Sequence, residues 1–236
     1  MRYEIKITKY NISTPISHVV SREPNSLTYG DVYLEVAGGF SQDLKFWWHV
    51  EWSHAIKSLT LKNLCVERRC RLSQKLVSIN LLEFLTEIIS YASATVCFLQ
   101  DKTLCTQPYP IILKWPDNQT SQELIKKAAT RVPKGKALQR ILWFLTINND
   151  SRIKADFIPG FKNVLIDAIY RTYSNSSSFP FFKHLFKEFS EMTSWARLYA
   201  GQELLSLLFS TLLEGQKPGL CRPKTMEHFA ATNYTS

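Results

Sequence analysis

The run from Val77 to Leu99 constrains this fold most. Ile79, Leu82, Leu85, Ile88, Ile89, Ala92 and Val96 recur at helical spacing, which predicts a long, largely buried helix. Directly after it, Pro108 and Pro110 open a short apolar run, Ile111 to Trp115, whose length and bounding prolines suit a buried strand. A core helix leading into a buried strand implies helices packed on a sheet.

The flanking segments extend that layout. Residues 27–52 read as strands and a turn. Gly38-Gly39 separates two β-prone runs, and Phe46-Trp47-Trp48-His49-Val50-Glu51-Trp52 has strand-like aromatic density. Residues 55–75 are polar and basic and read as a connector. Beyond Trp115, helices are expected over about 121–130 and 136–148, split by Pro133 and Gly135. A strand at 153–158 and a helix from Asn163 to Tyr173 follow. The order β-β-β-α-β-α-α-β-α predicts an α/β fold, a mixed five-stranded sheet flanked by helices. The boundaries expected are an extension at 1–17, the domain at 18–173, a Ser-rich linker at 174–179, a helical appendage at 180–214 and a disordered tail at 215–236.

Composition narrows the function. The 236 residues are 45% hydrophobic and 13% aromatic, enough for a real core rather than a disordered chain. The five cysteines form no CxxC pair, which argues against a zinc site and for reduced thiols. The N-terminus lacks an apolar signal segment, and apolar stretches are interrupted before the ~20 residues of a membrane span, so the expectation is a cytoplasmic or nuclear protein with no membrane partner. The net charge of +9 points to an anionic partner, most simply nucleic acid.

Four carboxylates stand in apolar or glycine-flanked settings: Asp31 in Tyr29-Gly30-Asp31-Val32, Glu83 in Leu81-Leu82-Glu83-Phe84, Asp117 after Lys114-Trp115-Pro116, and Asp167 in Leu165-Ile166-Asp167-Ala168. A buried carboxylate is costly without a partner or a metal. Converging at one sheet edge, the four would form an all-oxygen site suited to magnesium or manganese. Each also has an ordinary explanation. Asp31 can be a turn residue, Glu83 competes with Glu87 one turn on, Asp117-Asn118 can cap a helix, and Asp167 can pair with Arg171. Lys126, Lys127, Arg131, Lys134, Lys136 and Arg140 follow with no acid among them, a pattern suited to phosphates.

The motifs themselves are more specific. Tyr29-Gly30-Asp31-Val32-Tyr33-Leu34 with Ala37-Gly38-Gly39-Phe40-Ser41, Phe46 to Trp52, Ser78 to Phe84, Asp117 to Ser121, and Ile158 to Arg171 together resemble the RNase H domain of retroelement reverse transcriptases, across residues 18–172. The resemblance implies an RNase H-like fold and a magnesium-dependent ribonuclease that cuts the RNA strand of an RNA–DNA hybrid. Asp31, Glu83, Asp117 and Asp167 would be its metal-binding acids, with Glu87 set aside. It also implies an upstream reverse transcriptase domain in a full element. Hybrid recognition would use the basic cluster, close backbone approach at Gly38 and Gly39, and hydrogen bonds from Asn118 and Gln119 to ribose. The chain departs from the family pattern at Ile166, Tyr170 and Phe157, so a non-catalytic nucleic-acid- or partner-binding domain on the same fold is the alternative.

Overall fold

The computed structural model describes residues 22–65, 77–105, 109–116, 118–127, 130, 132–158, 164–171 and 186–214. Strands β1 (Ser26–Val32), β2 (Val36–Ser41) and β3 (Phe46–Glu51) form an antiparallel meander. Its register sets Asp31 opposite Gly38 and Gly38 opposite His49. Helix α1 (His54–Cys65) follows within the stretch expected to be a connector. Its apolar signal is weak: Ile56 and Thr60 are buried, and the Thr60 hydroxyl donates to the Ile56 carbonyl at 3.0 Å.

Helix α2 (Ile79–Gln100) is the long helix the periodicity predicts, and β4 (Ile111–Trp115) matches its expected bounds. Then come α3 (Gln119–Lys127), α4 (Pro133–Asn148), β5 (Arg152–Ala155) and α5 (Val164–Arg171). Proline at the first turn of α4 has the fixed φ a helix start needs and sacrifices no intrahelical hydrogen bond. Strand β4 runs parallel to β1, and β5 parallel to β4, as helical crossovers require.

The fold is α/β, with a mixed six-stranded sheet in the order β5-β4-β1-β2-β3-β6, flanked by helices. Five strands were expected. The sixth, β6 (Ala196–Leu198), comes from the stretch expected to be purely helical and pairs parallel with β3. Three residues are too few to show a period in sequence; β6 exists because β3 offers an unpaired edge. Helix α6 (Gln202–Glu214) then returns Leu204, Leu208 and Leu212 to the main core.

That core lies on one face of the sheet. Here Leu82, Phe84, Leu85, Ile88 and Ile89 of α2, all fully buried, share one cluster with Phe46, Trp48 and Val50. By length and composition α2 could cross a membrane, but 83% of its most apolar window is buried inside the fold. A helix apolar on nearly all sides is either a core helix or a span, and here protein surrounds it. A smaller cluster on the opposite face joins Val36, Phe40 and Trp47 to Ile166 and Ile169 of α5 and to Met192.

Gly38 and Gly39 are needed by these two clusters. A Cβ on Gly38 would come within 2.8 Å of Ile169 Cγ2, and one on Gly39 would collide with the buried Trp48 indole. Both glycines are buried, so the close approach they allow is by Ile169 and Trp48, where a ribose was expected. Gly39→Ala should destabilise the protein by about 1–3 kcal/mol, because the indole has nowhere to move. A thermal melt within error of wild type would count against this packing.

Near the β6 edge, Arg197 lies 5.0 Å from the centroid of Trp47 and 4.8 Å from that of Tyr199. Burial, reinforced by the Arg197 charge, pushes His49 down to about 3. Its imidazole is therefore neutral in the folded protein, whereas an unfolded chain protonates it below about pH 6.5. The unfolded state then binds more protons, so this group removes stability as pH falls from about 6.5 towards 3. Urea midpoints compared at about pH 7 and about pH 4.5 should fall less in His49→Gln than in wild type. Equal falls would mean that His49 does not contribute.

Candidate functional site

The carboxyl ends of β1, β4 and β5 lie along one edge of the sheet, where parallel α/β architectures open a crevice for ligands. Asp31 is the penultimate residue of β1; it is half-buried, and one of its carboxylate oxygens accepts the Val32 N–H at 2.6 Å. The alternation along β1 directs Thr28 and Gly30 to α2 and directs Asp31 to the face covered by α5.

Glu83 reaches the same edge from α2. That helix runs antiparallel to β1: the Ser90 hydroxyl donates to the Tyr29 carbonyl at 3.4 Å, while Glu87 lies over Gly30. Glu83, one turn earlier, therefore lies beyond Gly30, towards the end of β1. It is half-buried and accepts a hydrogen bond from the buried Ser121 hydroxyl of α3 at 3.3 Å. Alongside, the Asn118 amide donates to the Asn80 side-chain oxygen at 3.2 Å. These two bonds tie the N-terminal turns of α2 and α3 together.

Asp117 lies outside the described residues, between the end of β4 and Asn118. Asp167 is on α5, but its side chain also lies outside the description. The seating of its helix is defined: Ile169, two residues on, fills the space over Gly38, the register partner of Asp31. Asp31 and Glu83 thus lie towards one edge, Glu83 on the α2 face and Asp31 on the face covered by α5, the helix that bears Asp167. Among the described residues, no group of three or more His, Cys, Asp or Glu side chains is placed to hold a metal.

Asn118 is the N-cap of α3. Its side-chain oxygen accepts the Thr120 N–H at 2.7 Å, and its carbonyl accepts the Gln122 N–H at 3.1 Å. With its amide donating to Asn80, both ends of the Asn118 side chain expected to meet ribose are engaged within the fold, whereas Gln119 is exposed. In the basic cluster Lys126, Lys136 and Arg140 are exposed, and Lys126 lies 3.9 Å from Asp156. Lys134 departs from expectation. It is only 5% exposed, and burial pushes its ammonium below the usual lysine value, so it is not an open phosphate contact. Arg131 and the Lys127 side chain lie outside the described residues.

Lys114 stands outside the site residues expected from sequence. It is fully buried in β4, and its ammonium lies 2.8 Å from Glu87. Burial pushes the Lys114 ammonium down, and the Glu87 carboxylate opposes that shift. This pair supplies a physical ground for distinguishing the two glutamates: Glu87 is engaged within the fold, and Glu83 faces the edge. A lysine inside the apolar run Ile111–Trp115 was the available signal, since a buried cation demands a buried anion.

No family model, curated protein or solved structure matches this chain. The site therefore rests on its own geometry.

Removing one member of a buried pair leaves an uncompensated charge and typically costs about 3–5 kcal/mol. Lys114→Met should show a loss of that order in chemical denaturation. Adding Glu87→Leu should recover most of it, because replacing both charges by apolar groups is often neutral. If the double variant were as unstable as the single one, the pair would not be the cause.

Proposed function

We propose that this chain is an RNase H-like nuclease that hydrolyses the RNA strand of an RNA–DNA hybrid within a retroelement. One observation carries the proposal: Asp31 and Glu83 approach one sheet edge from different elements, and α5, which bears Asp167, is seated on the register partner of Asp31. The strand arrangement agrees with it. An antiparallel meander comes first, and two parallel strands are then added beyond β1 by helical crossovers, as the resemblance implies.

The donor chemistry suits a hard cation. The groups assembled at this edge carry oxygen donors: the two carboxylates, with Asn80 and Ser121 behind them. Asp31, Glu83, Asp117 and Asp167 would hold magnesium, which when bound lowers the pKa of water and stabilises a leaving oxygen. The chain's own contribution is positional. Ser121 orients the Glu83 carboxylate, the Asn118–Asn80 bond fixes the approach of α3 to α2, and Gly30 lets α2 lie close to β1. The exposed Lys126, Lys136 and Arg140 would attract hybrid phosphates without sequence preference.

With a labelled hybrid and magnesium, wild type should release short RNA fragments. Asp31→Asn and Glu83→Gln should each lose more than the roughly 10–100-fold that follows removal of an outer partner of a metal ligand. Cleavage undiminished in Asp31→Asn would remove the catalytic assignment. Tight hybrid binding without any cleavage by wild type would leave a binding domain in its place.

A further inference from the structure

Helix α4 turns a second chemistry outward. Lys136, Arg140, Trp143 and Ile147 follow one another at intervals of four, three and four residues, so they fall on one narrow stripe about 16 Å long. All four are exposed, Trp143 at 51% and Ile147 at 62%. The inward face of the same helix buries Leu138, Leu142 and Leu145 in the core. Trp143 is thus not required by the packing beneath it. The helix carries three cations and no acid, in a chain of net charge +9.

We propose that this stripe is a seat for single-stranded nucleic acid, in which Lys136 and Arg140 take backbone phosphates and a base stacks on the Trp143 indole beside Ile147. It rests on the nucleic-acid-binding part of the proposed function and extends it. Charge decides for an anionic occupant. The exposed ring decides for a single strand: duplex bases are already stacked on one another, whereas an unpaired base presents a free face. Cations tracking the backbone beside an aromatic platform are the combination such strands require.

Position gives the strand a path. The crossover between the parallel strands β4 and β5 begins at the carboxyl edge, towards which Asp31 and Glu83 lie, and ends at the amino edge, where Asp150 donates its N–H to the Ile147 carbonyl just before β5. The Ile147 end of the stripe therefore lies at the far edge. A strand leaving the candidate site would meet the two cations first and Trp143 next.

Fluorescence anisotropy with three labelled probes tests this: a blunt RNA–DNA hybrid, the same hybrid with a single-stranded DNA overhang, and the single strand alone. The overhang should tighten wild-type binding about tenfold, within the range of one stacked base. Trp143→Ala should abolish that gain, Trp143→Phe should keep most of it, and neither should change affinity for the blunt hybrid. Lys136→Ala with Arg140→Ala should weaken single-strand binding and flatten its salt dependence by about two phosphate contacts. An overhang that adds nothing, or a gain that survives Trp143→Ala, overturns the proposal while blunt-hybrid binding leaves the nucleic-acid assignment standing. No binding to any probe removes both. Poly-glutamate bound as tightly as the single strand, and equally sensitive to Trp143→Ala, overturns it in favour of an acidic protein partner.

Discussion

Helix α2 lies tightly over Gly30, where the missing side chain leaves it room. A Cβ there would stand 3.0 Å from both the Ser90 hydroxyl and a Thr86 methyl group, and 3.3 Å from a Glu87 oxygen. Close approach brings the Glu87 carboxylate down to the level of Lys114 on the neighbouring strand, and the buried ion pair forms at 2.8 Å. A charge pair in an apolar interior gains little net stability over hydrophobic replacements, but its directional bond sets where α2 sits along β4. Apolar contacts alone would tolerate sliding, because they are not directional.

What depends on that placement is the geometry of the edge. With Glu87 engaged by Lys114, the preceding turn carries Glu83 past Gly30 towards the end of β1, where Ser121 holds it. On the other face Gly38 plays the corresponding part for α5, admitting Ile169 opposite the register position of Asp31. Two glycines on neighbouring strands thus let one helix from each face approach the same end of the sheet. Backbone positions without side chains let both helices close in there.

Much of the fold was legible in the sequence, for reasons that differ by element. The α2 run and the proline-bounded β4 are long or sharply punctuated, so periodicity located both. Helix α1 lies in a polar, basic stretch that suits a connector, and its buried side shows at Ile56 and Thr60, with Leu59 against the core. Strand β6 carries no local signal, being created by the open edge of β3. In the candidate site, Asp31 and Glu83 stood out as charges in apolar surroundings. Lys114 stands in equally apolar surroundings, and its partner Glu87 lies 27 residues earlier in the chain. Gly38, Gly39 and Lys134 were assigned to nucleic acid from their type and position, and burial gives each a place inside the fold.

By itself the sequence determined the α/β class, the order of the meander, α2, β4, β5 and the helices around them, and the presence of acids where charges are costly, since each depends on spacing or composition within a short window. Only the tertiary structure decided which glutamate faces the edge, which glycines admit which side chains, and which cations of the basic run are exposed. Those outcomes turn on partners far away in the chain, such as Lys114 for Glu87 and Ile169 for Gly38, and no local pattern encodes them.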